Sequence, residues 1–192
     1  MPRTAQEDLR VRRTITAIDK AFHELVLEKP YDRISVSELC ERAFINKKTF
    51  YAHYRSLGDV LREKLEAISR GFIARIARFT LPEQLYDIHR EFFLYSIEQG
   101  EFYEKLICNT TCEHIGSGLL GNLVRDTWQH SPWFHNLNYD TQSMVLCFLH
   151  STGAALYRQW VSDGKRMPLE DVIAISGTLL CQGVEGIVRT AQ

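Results

Sequence analysis

The sequence predicts an all-α protein, and three observations carry that expectation. Nearly every segment places apolar residues at helical spacing. No stretch sustains the period-2 alternation rich in Val, Ile and Thr that a half-buried strand requires. Helix caps and helix stops recur between the apolar stripes. With 192 residues, 45% of them hydrophobic and 24% charged, the chain is large enough for a substantial core and unlike a disordered or low-complexity one. The expected architecture is a compact three-helix cluster joined by a long helix to a larger C-terminal helical bundle, about nine helices in all.

The first helix is expected from about Arg12 to Glu28, with Ile15, Ile18, Phe22, Leu25 and Val26 as its stripe and Lys29-Pro30 as its stop. Ser35 and Glu38 read as a capping box for a short helix over Ser37 to Ala43. Asn46 caps a second short helix from Lys47 to Tyr54, and Ser56 with Asp59 caps a third. The helix beginning at Leu57 keeps Val60, Leu61, Leu65, Ile68, Phe72, Ile76 and Phe79 on one face for roughly six turns before Pro82, the pattern of a connector between two parts. Further helices are expected at about 82–99, 101–108, 115–130, 140–163 and 169–189.

The formal net charge of −1 proposes no polyanionic partner by itself. Divided at residue 60, however, it resolves into eleven cations against nine carboxylates before that point and twelve against fifteen after it. Between Arg42 and Gly58 lie Arg42, Lys47, Lys48 and Arg55, His53, and no acid at all. At 100° per residue Lys47, Lys48, Tyr51 and Arg55 share one broad face, while Phe50 and Tyr54 occupy the other. A short helix, a tight turn at Phe44-Ile45-Asn46 and a capped second helix with an exposed basic edge form the layout of a helix-turn-helix, whose second helix enters a DNA major groove.

The segment Ser35 to Tyr54, SVSELCERAFINKKTFYAHY, resembles the N-terminal pattern of the TetR family of bacterial transcriptional regulators. Val36, Leu39, Ala43, Ile45, Thr49, Tyr51, His53 and Tyr54 fall on family positions, and Ile18, Ala21, Phe22 and Leu25 fit the family's first helix. The resemblance covers about a third of the chain. It implies a DNA-binding domain over residues 11–71 and a divergent C-terminal domain over 72–192 that dimerises, commonly through its last two helices, and binds small-molecule effectors. Two positions depart from the pattern. Phe44 stands where the family usually has Gly, and a non-glycine residue at positive φ costs about 1 kcal/mol, which favours a differently built turn. Leu57 stands where the family often places a phosphate-contacting Lys.

Together these readings give a cytoplasmic, homodimeric DNA-binding transcriptional regulator, expected to be a repressor, on a palindromic operator. Phosphate contacts are expected from Ser35, Lys48, Tyr51, His53 and Arg55, and base contacts from Asn46, Lys47, Lys48 or Thr49. The plainer alternative is that Lys47 and Lys48 are a solvated face and Tyr51 a packing residue. A single recognition helix rarely supplies enough contact for a specific site, so two-fold pairing is expected. Its candidate seam is Leu149, Gly153, Leu156 and Trp160 on one helix and Leu180, Val184 and Ile187 on the next, with small residues at Gly153, Ala154, Gly177, Gly183 and Gly186. The same residues would otherwise complete the monomer core.

An effector pocket is expected among Phe92, Tyr95, Tyr103, Trp128, Phe148 and Tyr157, with polar tips from His89, His114 or His150; packing alone is the alternative for each. Cys108, Cys112 and His114 form CxxxCxH, which reads as ordinary cysteines or as a thiol or metal sensor, although structural zinc takes four ligands. Five dispersed cysteines suit a reducing compartment, the charged first thirty residues hold no secretory signal, and no apolar run approaches 18 residues. No phosphate-binding glycine loop, HExxH, GxSxG or dinucleotide fingerprint occurs, so neither catalysis nor a cofactor is expected. Two other readings stay open: an adaptor derived from a helix-turn-helix that no longer reads DNA, and a small-molecule enzyme without a recognisable motif.

Overall fold

A computed structural model of the chain describes the backbone of residues 5–128 and 131–190, and their side chains apart from 5–8, 113–114, 117–122 and 183–190. The described residues form ten α-helices, one 3-10 turn and no strand. The helices are α1 (Ala5–Glu28), α2 (Val36–Arg42), α3 (Lys47–Tyr51), α4 (Leu57–Ile76) and α5 (Leu85–Glu98), then α6 (Gly100–Ile107), α7 (Thr110–Trp128), α8 (Pro132–His135), α9 (Tyr139–Ser162) and α10 (Leu169–Thr190). The 3-10 turn, Tyr31–Arg33, lies between α1 and α2.

Several boundaries differ from the sequence expectation: α3 ends at Tyr51 rather than Tyr54 and α5 begins at Leu85 rather than near residue 82, and three further differences have local causes. The first helix begins seven residues before Arg12, so Arg10, Arg12 and Arg13 sit exposed on its first turns. The seventh begins at Thr110 because the Asn109 side chain accepts the Cys112 N–H (3.1 Å), an N-terminal cap of the ordinary Asn kind. The eighth is a four-residue helix opened by Pro132, too short to leave a periodic signal.

The expected caps form, with one exchange of partners. Asn46 Oδ1 accepts both the Thr49 N–H (2.8 Å) and the Thr49 hydroxyl (3.0 Å). Asp59 takes the N–H groups of Arg55 (2.8 Å) and Ser56 (3.1 Å). Ser35 Oγ accepts the Glu38 N–H (3.2 Å), but the reciprocal half of that capping box is absent, because the Glu38 carboxylate pairs with Lys29 at the end of α1. A charged partner outcompetes a backbone amide for the carboxylate.

Apolar burial divides into three clusters that share walls. The first joins Ile18, Phe22 and Leu25 of α1, Leu39 of α2, Phe50 of α3 and Leu61 and Leu65 of α4; Phe102, Leu106 and Cys112 complete it from α6 and α7. The second gathers Phe72 and Ile76 of α4 with Leu85, Ile88, Val124, Trp128, Phe134, Leu146 and Leu180. The third is aromatic, with Phe93, Tyr157 and Trp160 at its centre. One helix, α4, therefore feeds two cores, its first half facing the N-terminal cluster and its second half the C-terminal body.

Polar links reinforce that seam. Asp32 accepts hydrogen bonds from Asn109 Nδ2 (2.7 Å) and the Thr111 hydroxyl (2.9 Å), tying the 3-10 turn to the start of α7 and holding the Asp32 carboxyl below the usual carboxylate range. His23 of α1 stacks on Phe102 of α6 with ring centroids 4.4 Å apart. Lys64 of α4 pairs with Asp19 of α1 (2.7 Å). Among the described residues no helix is long and apolar enough to cross a membrane.

Candidate nucleic-acid interface and interior chambers

The α2–turn–α3 unit is built on a left-handed residue. Phe44 has φ +53°, and the two bonds of a Schellman closure surround it: its own N–H reaches Glu41 O (3.2 Å) and the Ile45 N–H reaches Cys40 O (2.9 Å). The turn thus keeps the geometry a glycine would give, contrary to the expectation that Phe44 would rebuild it. The strain is local, because the side chain is 95% exposed and meets no clash.

Beyond the turn, α3 has one buried side and one open side, as 100° spacing requires. Phe50 and Tyr54 are buried, and the Tyr54 hydroxyl donates to Glu63 of α4 (2.9 Å). Burial and the Glu63 charge together push the Tyr54 phenol well above its ordinary range. Lys47, Lys48, Tyr51 and Arg55 are exposed, Thr49 and His53 are half-buried, and Ser35 is exposed at the N-terminus of α2. Among the described residues Lys47 and Lys48 have no hydrogen-bond or ion-pair partner, and both are exposed. Asn46 is exposed, but its oxygen is committed to the cap.

Arg42 leaves the basic group counted in the sequence. Its guanidinium grips the Glu28 carboxylate in a two-point pairing (2.7 and 2.8 Å) and reaches Glu24 at 3.5 Å, which fastens α2 to α1. The free cations of this face are Lys47, Lys48 and Arg55. Leu57 is half-buried and packs against the N-terminal core, where no lysine could replace it without losing that contact.

The C-terminal body encloses two chambers of about 60 Å³ each. The first is lined by hydrocarbon from Phe72, Ile88, Phe92, Leu146 and Leu180, with Trp128 and His89 in its wall. The second lies toward the N-terminal core, among Leu65, Tyr95, Tyr103, Leu106 and Cys112. Phe72, Phe92 and His150 belong to both linings; Phe72 and Phe92 meet edge to face at 5.8 Å and form the partition. Of the aromatics expected to line a pocket, Phe92, Tyr95, Tyr103 and Trp128 do. Phe148 does not: it is exposed on the outer face of α9. Nor does Tyr157, which is sealed among Phe92, Phe93, Tyr103 and Trp160 with its hydroxyl toward Glu104.

The expected seam also turns out to face inward where it is described. Gly153, Trp160 and Leu180 are buried within the chain, while Leu149 and Leu156 are half-buried against the same clusters. The glycines serve internal contacts. A β-carbon on Gly153 would lie 3.7 Å from the Phe92 ring, and one on Gly177 would sit 2.6 Å from the Tyr86 ring, so the bare backbone lets α9 and α10 approach α5. The side chains of Val184, Ile187 and His114 lie outside the described residues. Among the described residues, the exposed apolar side chains of the last two helices include Met144 and Phe148 on α9, beyond Tyr139 at its start, and Ile175 and Leu179 on α10, each of these pairs four residues apart. Leu179 is 57% exposed and Met144 72%. Cys108 is exposed and Cys112 is buried in the N-terminal core, so the two thiols do not converge; burial pushes the Cys112 thiol up to about 12.

Comparison with solved structures identifies the fold. A TetR transcriptional regulator from Streptococcus agalactiae superimposes with a TM-score of 0.64 over 91% of this chain and 97% of its own, at 22% identity. A transcriptional regulator FadR from Bacillus subtilis, solved in complex with stearoyl-CoA, gives 0.62 over 88% and 98% at 17% identity. SmeT, the repressor of a multidrug efflux pump of Stenotrophomonas maltophilia, gives 0.59 over 90% and 89% at 15% identity. The chain therefore has the TetR-type fold over most of its length. No protein-family model and no curated protein matches the sequence.

Replacing Phe44 by Gly relieves the left-handed strain without removing a buried contact, so the variant should be more stable by about 1 kcal/mol in urea denaturation. Burial holds the His89 imidazole at about 4, below its ordinary value of 6.5. Above pH 6.5 both folded and unfolded chains carry it neutral; as pH falls from 6.5 to 4 only the unfolded chain takes the proton. Its share of stability should therefore fall by up to about 3 kcal/mol across that window, read from urea midpoints, with the imidazole NMR signal titrating near pH 4.

Proposed function

We propose that this chain is a DNA-binding transcriptional regulator, acting as a repressor in the cytoplasm, which binds a palindromic operator as a homodimer and is released by a small-molecule effector. The observation that carries the reading is α3. It is held by a cap and a buried Phe50 while presenting Lys47, Lys48 and Tyr51 to solvent, on a fold otherwise seen in regulators. Residues 11–71 form the DNA-binding unit and 72–192 the unit that pairs subunits and holds the effector.

In this reading Lys47, with Thr49 and the free amide hydrogens of Asn46, meets base edges. Lys48, Tyr51, His53, Arg55 and the Ser35 hydroxyl at the start of α2 meet phosphates, because cations and helix N-termini suit phosphate oxygens. Arg42 takes no part, being held by Glu28 and Glu24. The exposed first turns of α1 add Arg10, Arg12 and Arg13 to the positive field near the N-terminus. Pairing of subunits runs through Met144, Phe148, Ile175 and Leu179, exposed apolar side chains of the last two helices that a monomer would leave in water. The effector occupies the chambers beside Phe72 and Phe92. Phe72 stands on α4, the helix that also anchors α3 through the Glu63–Tyr54 hydrogen bond, so a ligand there bears on the placement of the recognition helix.

Selection of bound fragments from a genomic DNA library should recover a two-fold related sequence with the wild-type chain and lose it with Lys47→Ala and Lys48→Ala. Affinity should fall steeply with salt. No enrichment at low salt would favour an adaptor that has kept the helix-turn-helix without DNA readout. Light scattering at micromolar concentration should give a dimer for the wild type and a monomer for Leu179→Glu, a change on an exposed side chain that leaves the fold intact. A wild-type monomer would end the proposed pairing.

A further inference from the structure

Three polar side chains, His89, Trp128 and His150, interrupt the hydrocarbon wall of the first chamber among the described residues. Trp128 is only 4% exposed, lines the chamber, and its indole N–H has no acceptor. His89, 3% exposed, lines the same chamber and makes one hydrogen bond, between Nε2 and Ser176 Oγ at 2.6 Å. The Ser176 hydroxyl has one hydrogen and two neighbours, Nε2 at 2.6 Å and Ile173 O at 3.3 Å; Nδ1 offers a lone pair when Nε2 carries the ring proton and an N–H when it does not. Gly153 keeps the space beside Nδ1 open: a β-carbon there would lie 4.0 Å from it. Native interiors rarely leave a buried donor such as the Trp128 indole N–H unsatisfied, and such a group calls for a partner.

We propose that this chamber takes an uncharged, mainly hydrocarbon molecule carrying one hydroxyl or amide group, able both to donate and to accept, whose oxygen accepts the Trp128 indole hydrogen and which pairs with His89 Nδ1. This names the ligand class of the chamber assigned above to the effector and rests on that assignment. The wall disfavours charge. None of the described lining residues is Lys, Arg, Asp or Glu, burial keeps the His89 imidazole neutral at physiological pH, and His150 is the one other titratable group among them. An ammonium would enter without a counter-charge and a carboxylate without a fixed cation, at a cost that the contacts of an apolar chamber do not offset. Size follows from the partition. One chamber of about 60 Å³ is tight for a ring; a ligand that displaced the Phe92 ring from the partition would gain the second chamber of about 60 Å³, room for one ring with a short chain.

Titration calorimetry at pH 7.5 of the full chain with three probes tests the assignment: 4-propylphenol, propylbenzene and 4-propylbenzoate, which share a shape and differ in polarity. The phenol should bind about tenfold more tightly than propylbenzene, as one well-made buried hydrogen bond allows, and the benzoate should bind worst. Trp128→Phe should bring phenol and propylbenzene within about twofold of each other. Gly153→Ala, whose methyl fits in ordinary contact and intrudes beside Nδ1, should weaken the phenol several-fold. Equal binding of phenol and propylbenzene, or tightest binding by the benzoate, overturns the polarity assignment while an occupied effector chamber stands. Binding of no probe overturns the proposal itself. The effector reading fails separately, if a probe that does bind leaves operator affinity unchanged in a competition assay.

Discussion

Everything in this fold hangs on one helix belonging to two cores. Leu61 and Leu65 of α4 are buried with the N-terminal helices, and Phe72 and Ile76, two to four turns later, are buried with the C-terminal body. A continuous hydrogen-bonded helix of 20 residues, about 30 Å long, transmits position between its ends far better than a loop would. The N-terminal cluster therefore inherits its orientation from the body. Phe72 makes that dependence chemical as well as geometric, since it is at once a core residue, a wall of both chambers and a member of the connecting helix.

The all-α class, the short capped helices and the connector were legible because each rests on local rules: spacing, caps and stops. The buried set of α1, Ile18, Phe22, Leu25 and Val26, was likewise readable from periodicity. What escaped reading depends on tertiary partners. Arg42 counts as a free cation until Glu28 and Glu24 arrive from another helix. Glu38 reads as half of a capping box until Lys29 claims it. Periodicity marks Leu149, Gly153, Leu156 and Trp160 as one face of α9, and it is silent on whether that face meets the same chain or another; packing against α5 decides in favour of the interior. Met144, Phe148, Ile175 and Leu179, on the opposite side, carry the same four-residue spacing and could have been weighed beside them.

Electrostatics sharpen the division of labour. The net charge near zero hides a chain in which several cations are spent on carboxylates of other segments, Lys29 on Glu38, Arg42 on Glu28, Lys64 on Asp19 and Arg75 on Glu91. What remains unspent on α3 and its exit is small in number and concentrated in place. A few unpaired cations on a rigid, capped helix give a more directed field than a larger number diluted by neighbouring carboxylates.

The bonds from Asn109 and Thr111 to Asp32 give the N-terminal cluster a second point of attachment, far along the chain from α4. A rigid body held at one point swings freely, whereas one held at two keeps a single easy rotation, about the line that joins them. The N-terminal helices of this protein have a third bearing as well, where His23 of α1 stacks on Phe102 of α6, so that a turn about the line through α4 and the start of α7 also works against that contact. The direction in which the unit can turn is thereby set by the positions of its bearings, before any ligand supplies the torque.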